Sequence, residues 1–290
     1  MNQSSGILVF DIETIPDLDV VRRAWQVDVT LSDESLRDQW TSEERSIKPA
    51  WQHIVAIAGA WIEPNGALRY LGAFGSETHS EAALVRIFFH LVARHRPRLV
   101  GWNSGGFDLP VLVYRAMVHR IQAPAFYQIG EPYHSYRKRF DEESHIDLMD
   151  LLSFYGASPR LKLDEMAHVL GIPGKLGVEG SQVWDLYQAG DLATIRRYCM
   201  TDVLTTALIY SRYAEHRGWW SADQVTTFES SVEAWLATQD HPIWAEFDRH
   251  WTERKPRVIG RSPWDGSPGD FDASMEAAAP ELPIREEKRL

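Results

Sequence analysis

Cysteine occurs once in the 290 residues, as Cys199. That count excludes a disulfide framework and a cysteine-based zinc site. No apolar run approaches the length of a membrane span, and the N-terminus lacks the pattern of a secretory signal. The chain therefore reads as soluble and cytoplasmic, with no membrane contact and no protein partner deducible. Positive charge is also scarce. The 30 Lys and Arg face 41 Asp and Glu, a net charge of −11. This balance argues against a protein that coats nucleic acid by bulk electrostatics, but leaves room for a local basic patch. The eleven histidines show no H-E-x-x-H spacing. The glycine-rich stretch at 171–180 is not a phosphate-binding loop, because Leu176 follows Lys175 where Ser or Thr is required.

What the sequence does hold is a hydrophobic content of 44%, with 12 tryptophans, enough for a sizeable core. Residues 7–13, ILVFDIE, stand out. β-branched and aromatic enrichment over a short run predicts a buried strand. Side chains alternate along a strand, so Asp11 and Glu13 share one face. Two adjacent carboxylates at the end of a buried strand repel each other. A hard divalent cation, magnesium or manganese, relieves that repulsion. The alternative is a strand that simply ends in two solvated acids.

Residues 14–17 are expected to break the first strand, and one or two surface helices are expected between 19 and 46. Further strands are predicted at 53–61 and 67–74, joined as a hairpin by the turn residues Glu63-Pro64-Asn65-Gly66. A helix is predicted at 77–95, a strand at 98–103, a helix at 109–120 and a short strand at 145–150. Helices are predicted at 161–170, 192–213 and 231–251. The order implies a mixed sheet with helices packed on it. Residues 1–251 read as one domain with a helical insertion at about 19–50. Residues 252–290 read as a Pro-, Gly- and Glu-rich tail, expected to be mobile or loosely docked.

Two later segments offer carboxylates to the first strand. In NSGGFD, residues 103–108, Asp108 follows a strand and opens a helix, at the working edge of an α/β sheet. A helix cap is the alternative role for Asp108. Tyr198 and Asp202 lie four apart on one helix and so share a face. Arg137, Lys138 and Arg139 alternate with Tyr133, Tyr136 and Phe140, a pattern able to grip a single strand, or else a solvated loop. Asp147 and Asp150 read as edge or capping acids.

Together, the carboxylate pair, N-x-x-x-F-D and Y-x-x-x-D resemble the three motifs of the DEDD exonucleases in their tyrosine subclass. The stretches VFDIETIP, FDLPVL, HIDLMDLL, GIPGKLGVEGSQV and YCMTDVLTT resemble, more closely, the stand-alone predicted 3′–5′ exonucleases related to the B-family DNA polymerase exonuclease domain. The resemblance covers roughly residues 7–213. It implies an α/β, RNase H-like fold with a five-stranded mixed sheet flanked by helices. It also implies two divalent metal ions, Mg2+ or Mn2+, held by Asp11, Glu13, Asp108 and Asp202, with Tyr198 orienting the attacking water. Thr14 and Asn103 would contact the terminal nucleotide and Phe107 would pack beneath it, although a structural role suits these three equally. The expected substrate is the 3′ end of single-stranded DNA. RNA ends are an alternative, as is a non-catalytic nucleic-acid-binding protein on the same fold. At Ser104-Gly105-Gly106 a bulkier or basic residue is expected beside the glycine, and its absence bears on a substrate contact.

Overall fold

The computed structural model describes residues 6–28, 30–36, 48–128, 134–174 and 180–254. Tyr133, Lys175, residues 37–47 of the expected insertion and the expected mobile tail from 255 onward lie outside the described residues. Strand β1, Ile7–Pro16, is the middle of a five-stranded sheet. On one side it pairs antiparallel with β2, Gln52–Ile62, which forms a hairpin with β3, Leu68–Ala73. On the other side it pairs parallel with β4, Arg98–Gly101, and β4 pairs parallel with β5, His145–Asp147. The order β3-β2-β1-β4-β5 with one antiparallel hairpin is the mixed, RNase H-like sheet expected from the sequence. Its central strand is covered on both faces, which is why Ile7 to Phe10 shows no polar alternation.

The helices are α1 (Leu18–Trp25), α2 (Glu81–His95), α3 (Asp108–Val118), α4 (Pro124–Tyr127), α5 (Leu148–Leu152), α6 (Leu163–Val169), α7 (Val183–Gln188), α8 (Leu192–His216), α9 (Ala222–Leu236) and α10 (Pro242–Arg254). They form two layers, and β1 divides its side chains between them. Leu8, Phe10 and Ile12 belong to the core with Phe88 of α2 and Leu112 of α3. Ile7 and Val9 belong to the core with Leu204 of α8, Phe228 of α9 and Phe247 of α10. Asp11 and Glu13 continue the odd-numbered series, toward the α8 layer. Among the described residues no helix is long and apolar enough to cross a membrane.

Several expected boundaries shift. β1 does not stop at Thr14 but runs to Pro16, because β2 continues to pair with it through Gln52. The register skips Val55 between the Glu13 and Thr14 pairs, a bulge beside the carboxylates. β4 and β5 are shorter than expected, and α5 starts at Leu148 because Asp147 caps it, accepting from the Asp150 N–H at 3.2 Å. The single helix expected at 231–251 is two, α9 and α10, separated where Pro242 opens a new helix.

Candidate metal centre

Three segments of chain meet at the end of β1. Asp11 is half-buried and Glu13 buried, both on the strand. Asp108 is buried and is the first residue of α3. It is not the cap of that helix. The cap position is Phe107, whose side chain makes no capping bond, and the Asp108 Oδ1 instead accepts the N–H of Ile12 at 3.2 Å. This bond ties the start of α3 to the backbone between Asp11 and Glu13. Tyr198 and Asp202 come from α8, and the Tyr198 hydroxyl donates to Asp202 one turn on.

The electrostatics follow from this arrangement. The Asp11 carboxyl is held well above the usual carboxylate range, first by burial and then by the charges of Asp108, Glu13 and Asp202. Asp108 is likewise raised, chiefly by burial, with Asp147 adding to it and its backbone hydrogen bonds opposing. The Tyr198 phenol is pushed up by burial and by Asp202, Glu13 and Asp11. The carboxylates thus crowd one another, and a cation between them would relieve the repulsion.

The sequence reading missed Cys199. Its thiol is buried, donates to the Asp11 carbonyl at 3.4 Å and faces the Asp11 Oδ2 at 3.5 Å. Ligand atoms of Asp11, Glu13 and Cys199 lie within 4.8 Å of one another. Burial and the neighbouring carboxylates push the thiol above its ordinary value. The converging donors are mainly carboxylate oxygens, the donor type that suits a hard divalent ion. A signal existed in the sequence: Cys199 is three residues before Asp202 and so shares its side of the helix.

The supports of the cluster are specific. The Arg196 guanidinium donates to the carbonyls of Phe74 at 3.0 Å and Gly75 at 2.7 Å, fixing the first turns of α8 to the end of β3. Gly180 lies close to the Tyr198 hydroxyl, which a Cβ there would approach to 3.9 Å. At the turn before α3, Asp147 accepts the N–H groups of Asn103 and Gly105, both at 2.9 Å, and so acts as the capping acid expected of it. Asn103 has φ 58°, the left-handed region such a turn needs. Ser104 is fully buried and bonds to His145 Nε2 at 2.8 Å, while burial pushes the His145 imidazole down to about 4. Across the sheet, Arg115 of α3 meets Glu81 of α2 and, at 2.8 Å, Asp17 at the end of β1.

Of the expected substrate contacts, Asn103, Arg137, Lys138 and Arg139 line one cavity beside the turn, whereas Thr14 and Phe107 lie elsewhere. Thr14 lies at the bulge, and Phe107 packs against the α2–α3 core. The Arg137 guanidinium stacks over the Tyr127 ring at 5.2 Å. Lys138 is exposed. Arg139 is engaged by Asp150 through bonds of 2.5 and 2.7 Å, and by the Tyr155 carbonyl at 3.0 Å.

No curated protein matches the chain. Among solved structures it is similar to the family B DNA polymerase from the hyperthermophilic archaeon Pyrobaculum calidifontis, with 20% identity and a TM-score of 0.45 over 72% of this chain and 24% of that one. The chain thus spans about a quarter of the polymerase's length. A family model, described as a predicted 3′–5′ exonuclease related to the exonuclease domain of PolB, matches residues 45–251. The matched span begins after β1 and includes Asp108, Tyr198 and Asp202. With most of its length inside that model, the chain belongs to the family of predicted 3′–5′ exonucleases related to the PolB exonuclease domain.

Proposed function

We propose that the protein hydrolyses phosphodiester bonds at the 3′ ends of single-stranded DNA with two bound magnesium or manganese ions. The observation that carries this reading is the meeting of β1, α3 and α8 at Asp11: Asp108 is bonded to the Ile12 N–H, ligand atoms of Glu13 and Cys199 stand within 4.8 Å of that of Asp11, and the charges of Asp108, Glu13 and Asp202 bear on it. The four carboxylates would hold the metals. Bound there, divalent ions lower the pKa of an attacking water and stabilise charge on the leaving oxygen. Tyr198 supplies a hydroxyl that remains protonated, so it orients the water rather than taking its proton. The Cys199 thiol donates to the Asp11 carboxylate and helps to hold it in place. Kinship with a DNA polymerase domain favours DNA. The test is degradation of 3′- and 5′-labelled single-stranded DNA and RNA with manganese, repeated with EDTA. RNA degraded in preference to DNA would reassign the substrate. No degradation of either would leave a nucleic-acid-binding role.

Tyr198→Phe is expected to lower kcat by about 10–100-fold, at or below the usual range for a positioned proton-handling group of about 10²–10⁴. It deletes one hydroxyl and leaves the carboxylates intact. A large rise in KM with unchanged kcat would place Tyr198 in binding instead.

Metal should also stabilise the fold, because the unfolded chain scatters its ligands. At about 100 times Kd the gain is about 2.7 kcal/mol, or roughly 5–10 °C for a protein of this size. Asp108→Asn keeps an acceptor for the Ile12 N–H while removing a charge. Its metal-induced shift in Tm should therefore be smaller. Equal shifts in the two proteins would remove Asp108 from the ligand set.

A further inference from the structure

A cavity of about 390 Å3 opens beside the turn at 103–106. Its apolar lining comes from Leu109, Pro110, Val113 and Tyr114 of α3, with Phe126 and Tyr136. The last two are nearly parallel, with ring centroids 5.4 Å apart, and the Tyr136 hydroxyl is tied to the Pro97 carbonyl at 2.8 Å. This part of the wall is therefore rigid and preformed. Four cationic side chains, Arg137, Lys138, Arg139 and Arg160, share the lining with the carboxylates of Asp147 and Asp150. Asp150 is met by Arg139 and Arg160, and Asp147 by three backbone N–H groups. A cationic excess at one cavity is notable in a chain of net charge −11.

Gly105 and Gly106 are exposed and line the same cavity. A Cβ at Gly105 would stand 3.2 Å from the Asp147 Oδ2, and one at Gly106 would stand 2.7 Å from the Asn103 Oδ1. A larger side chain would crowd this edge, so the two glycines keep it open. Asn103 lines the cavity, and Asp108 of the carboxylate cluster follows on the same short segment. The cavity and the cluster thus share one turn.

We infer that this cavity takes an unpaired base of the substrate strand, upstream of the nucleotide being released, with Arg137 and Lys138 meeting the adjoining phosphates. The inference rests on the nucleic-acid reading above. Its size lies within the roughly 300–1,000 Å3 of small-molecule sites. Aromatic and aliphatic walls beside cations are the composition that binds single strands without sequence preference. A base stacked and paired in a duplex cannot enter, so the site selects for single-stranded ends.

The test uses the full chain in EDTA, where binding is read without cleavage. Fluorescein-labelled single-stranded DNA oligonucleotides, each with one abasic residue at a successive position from the 3′ end, are titrated by anisotropy. One position, or two adjacent ones, should weaken binding by about fivefold or more, the factor for the lower end of base–aromatic stacking. Tyr114→Ala, at a side chain 41% exposed on the cavity wall, should weaken the intact strand similarly, with its fold checked by Tm. It should also be indifferent to the abasic residue at that position, and Val113→Trp, which fills the cavity, should behave alike. A flat positional profile, additive effects of Tyr114→Ala and the abasic residue, or no binding by any strand would each overturn the inference. Manganese-dependent degradation of the intact strand separates the two readings. Degradation with a flat profile removes the base site alone. A position-specific profile without degradation removes the enzymatic reading alone.

Discussion

Replacing Asp11 by asparagine is expected to lower exonuclease turnover by more than about 10³-fold, beyond the upper end for deleting a single electrostatic stabiliser. Asp11 is the carboxylate on which the charges of Asp108, Glu13 and Asp202 all bear, so it is central among the residues that would hold a metal. The loss should come with a gain in stability. A carboxyl whose folded pKa is raised contributes stability that is complete below its unfolded value of about 4 and is lost as pH rises through the folded value. At pH 8 in EDTA the wild-type protein bears the cost of that raised value, and Asp11→Asn should melt at the higher temperature. The difference should close as pH falls toward 4. Asparagine preserves shape and can still face the Cys199 thiol, so the gain isolates charge. Activity within tenfold of wild type, or a lower Tm at pH 8, would remove Asp11 from the centre of the site.

The carboxylates were legible because each depends on local pattern. Asp11 and Glu13 alternate on a strand, and Tyr198 and Asp202 repeat at one helical turn. What joins them is not local. The bond from Ile12 N–H to Asp108 spans 96 residues, and no periodicity announces it. For the same reason the cap reading of Asp108 was a fair alternative in the sequence and is resolved only by the fold. Arg139 read as part of a basic run, yet Asp150 binds it through two bonds, because α5 follows β5 directly and brings Asp150 under the loop. The break before α10 was legible, since Pro242 cannot continue α9, but an apolar period carried through it obscured the signal. Ser104 looked like a departure at the substrate edge. It is interior, hydrogen-bonded to His145, while its neighbours Asn103, Gly105 and Gly106 line the cavity.

Glu81→Gln is expected to cost about 3–5 kcal/mol, the penalty for stranding one partner of a buried ion pair. At roughly 2–4 °C per kcal/mol this is a fall in Tm of about 6–20 °C. The Glu81 side chain is 2% exposed and the Arg115 side chain 4%. Glu81 accepts the Ile54 N–H at 2.7 Å, two bonds from Arg115 at 2.7 and 2.6 Å, and contacts His119 at 2.6 Å. With every acceptor position engaged, an amide must turn a donor toward a donor. Burial pushes the Glu81 carboxyl up, but the bonds from His53 and Arg115 outweigh it and hold the group at about 2. Its folded value is lowered, so its contribution is complete above the unfolded value of about 4.3 and is lost as pH falls through about 2. The gap between wild type and Glu81→Gln should therefore narrow over that acid window and stay constant above it. The pair also has a bearing on the site. Arg115 sits on the helix that begins with Asp108, and its bond to Asp17 grips the end of the strand that carries Asp11 and Glu13. Loosening it should weaken manganese binding even at temperatures where the variant is folded. Removing both charges, as Glu81→Met with Arg115→Met, should cost less stability than the sum of the single changes, because no charge is left stranded. It should not restore metal affinity, because the grip on Asp17 is still lost. A double variant with wild-type manganese affinity would confine the Glu81–Arg115 pair to the core and leave the spacing of Asp108 and Asp11 to the Ile12 bond alone.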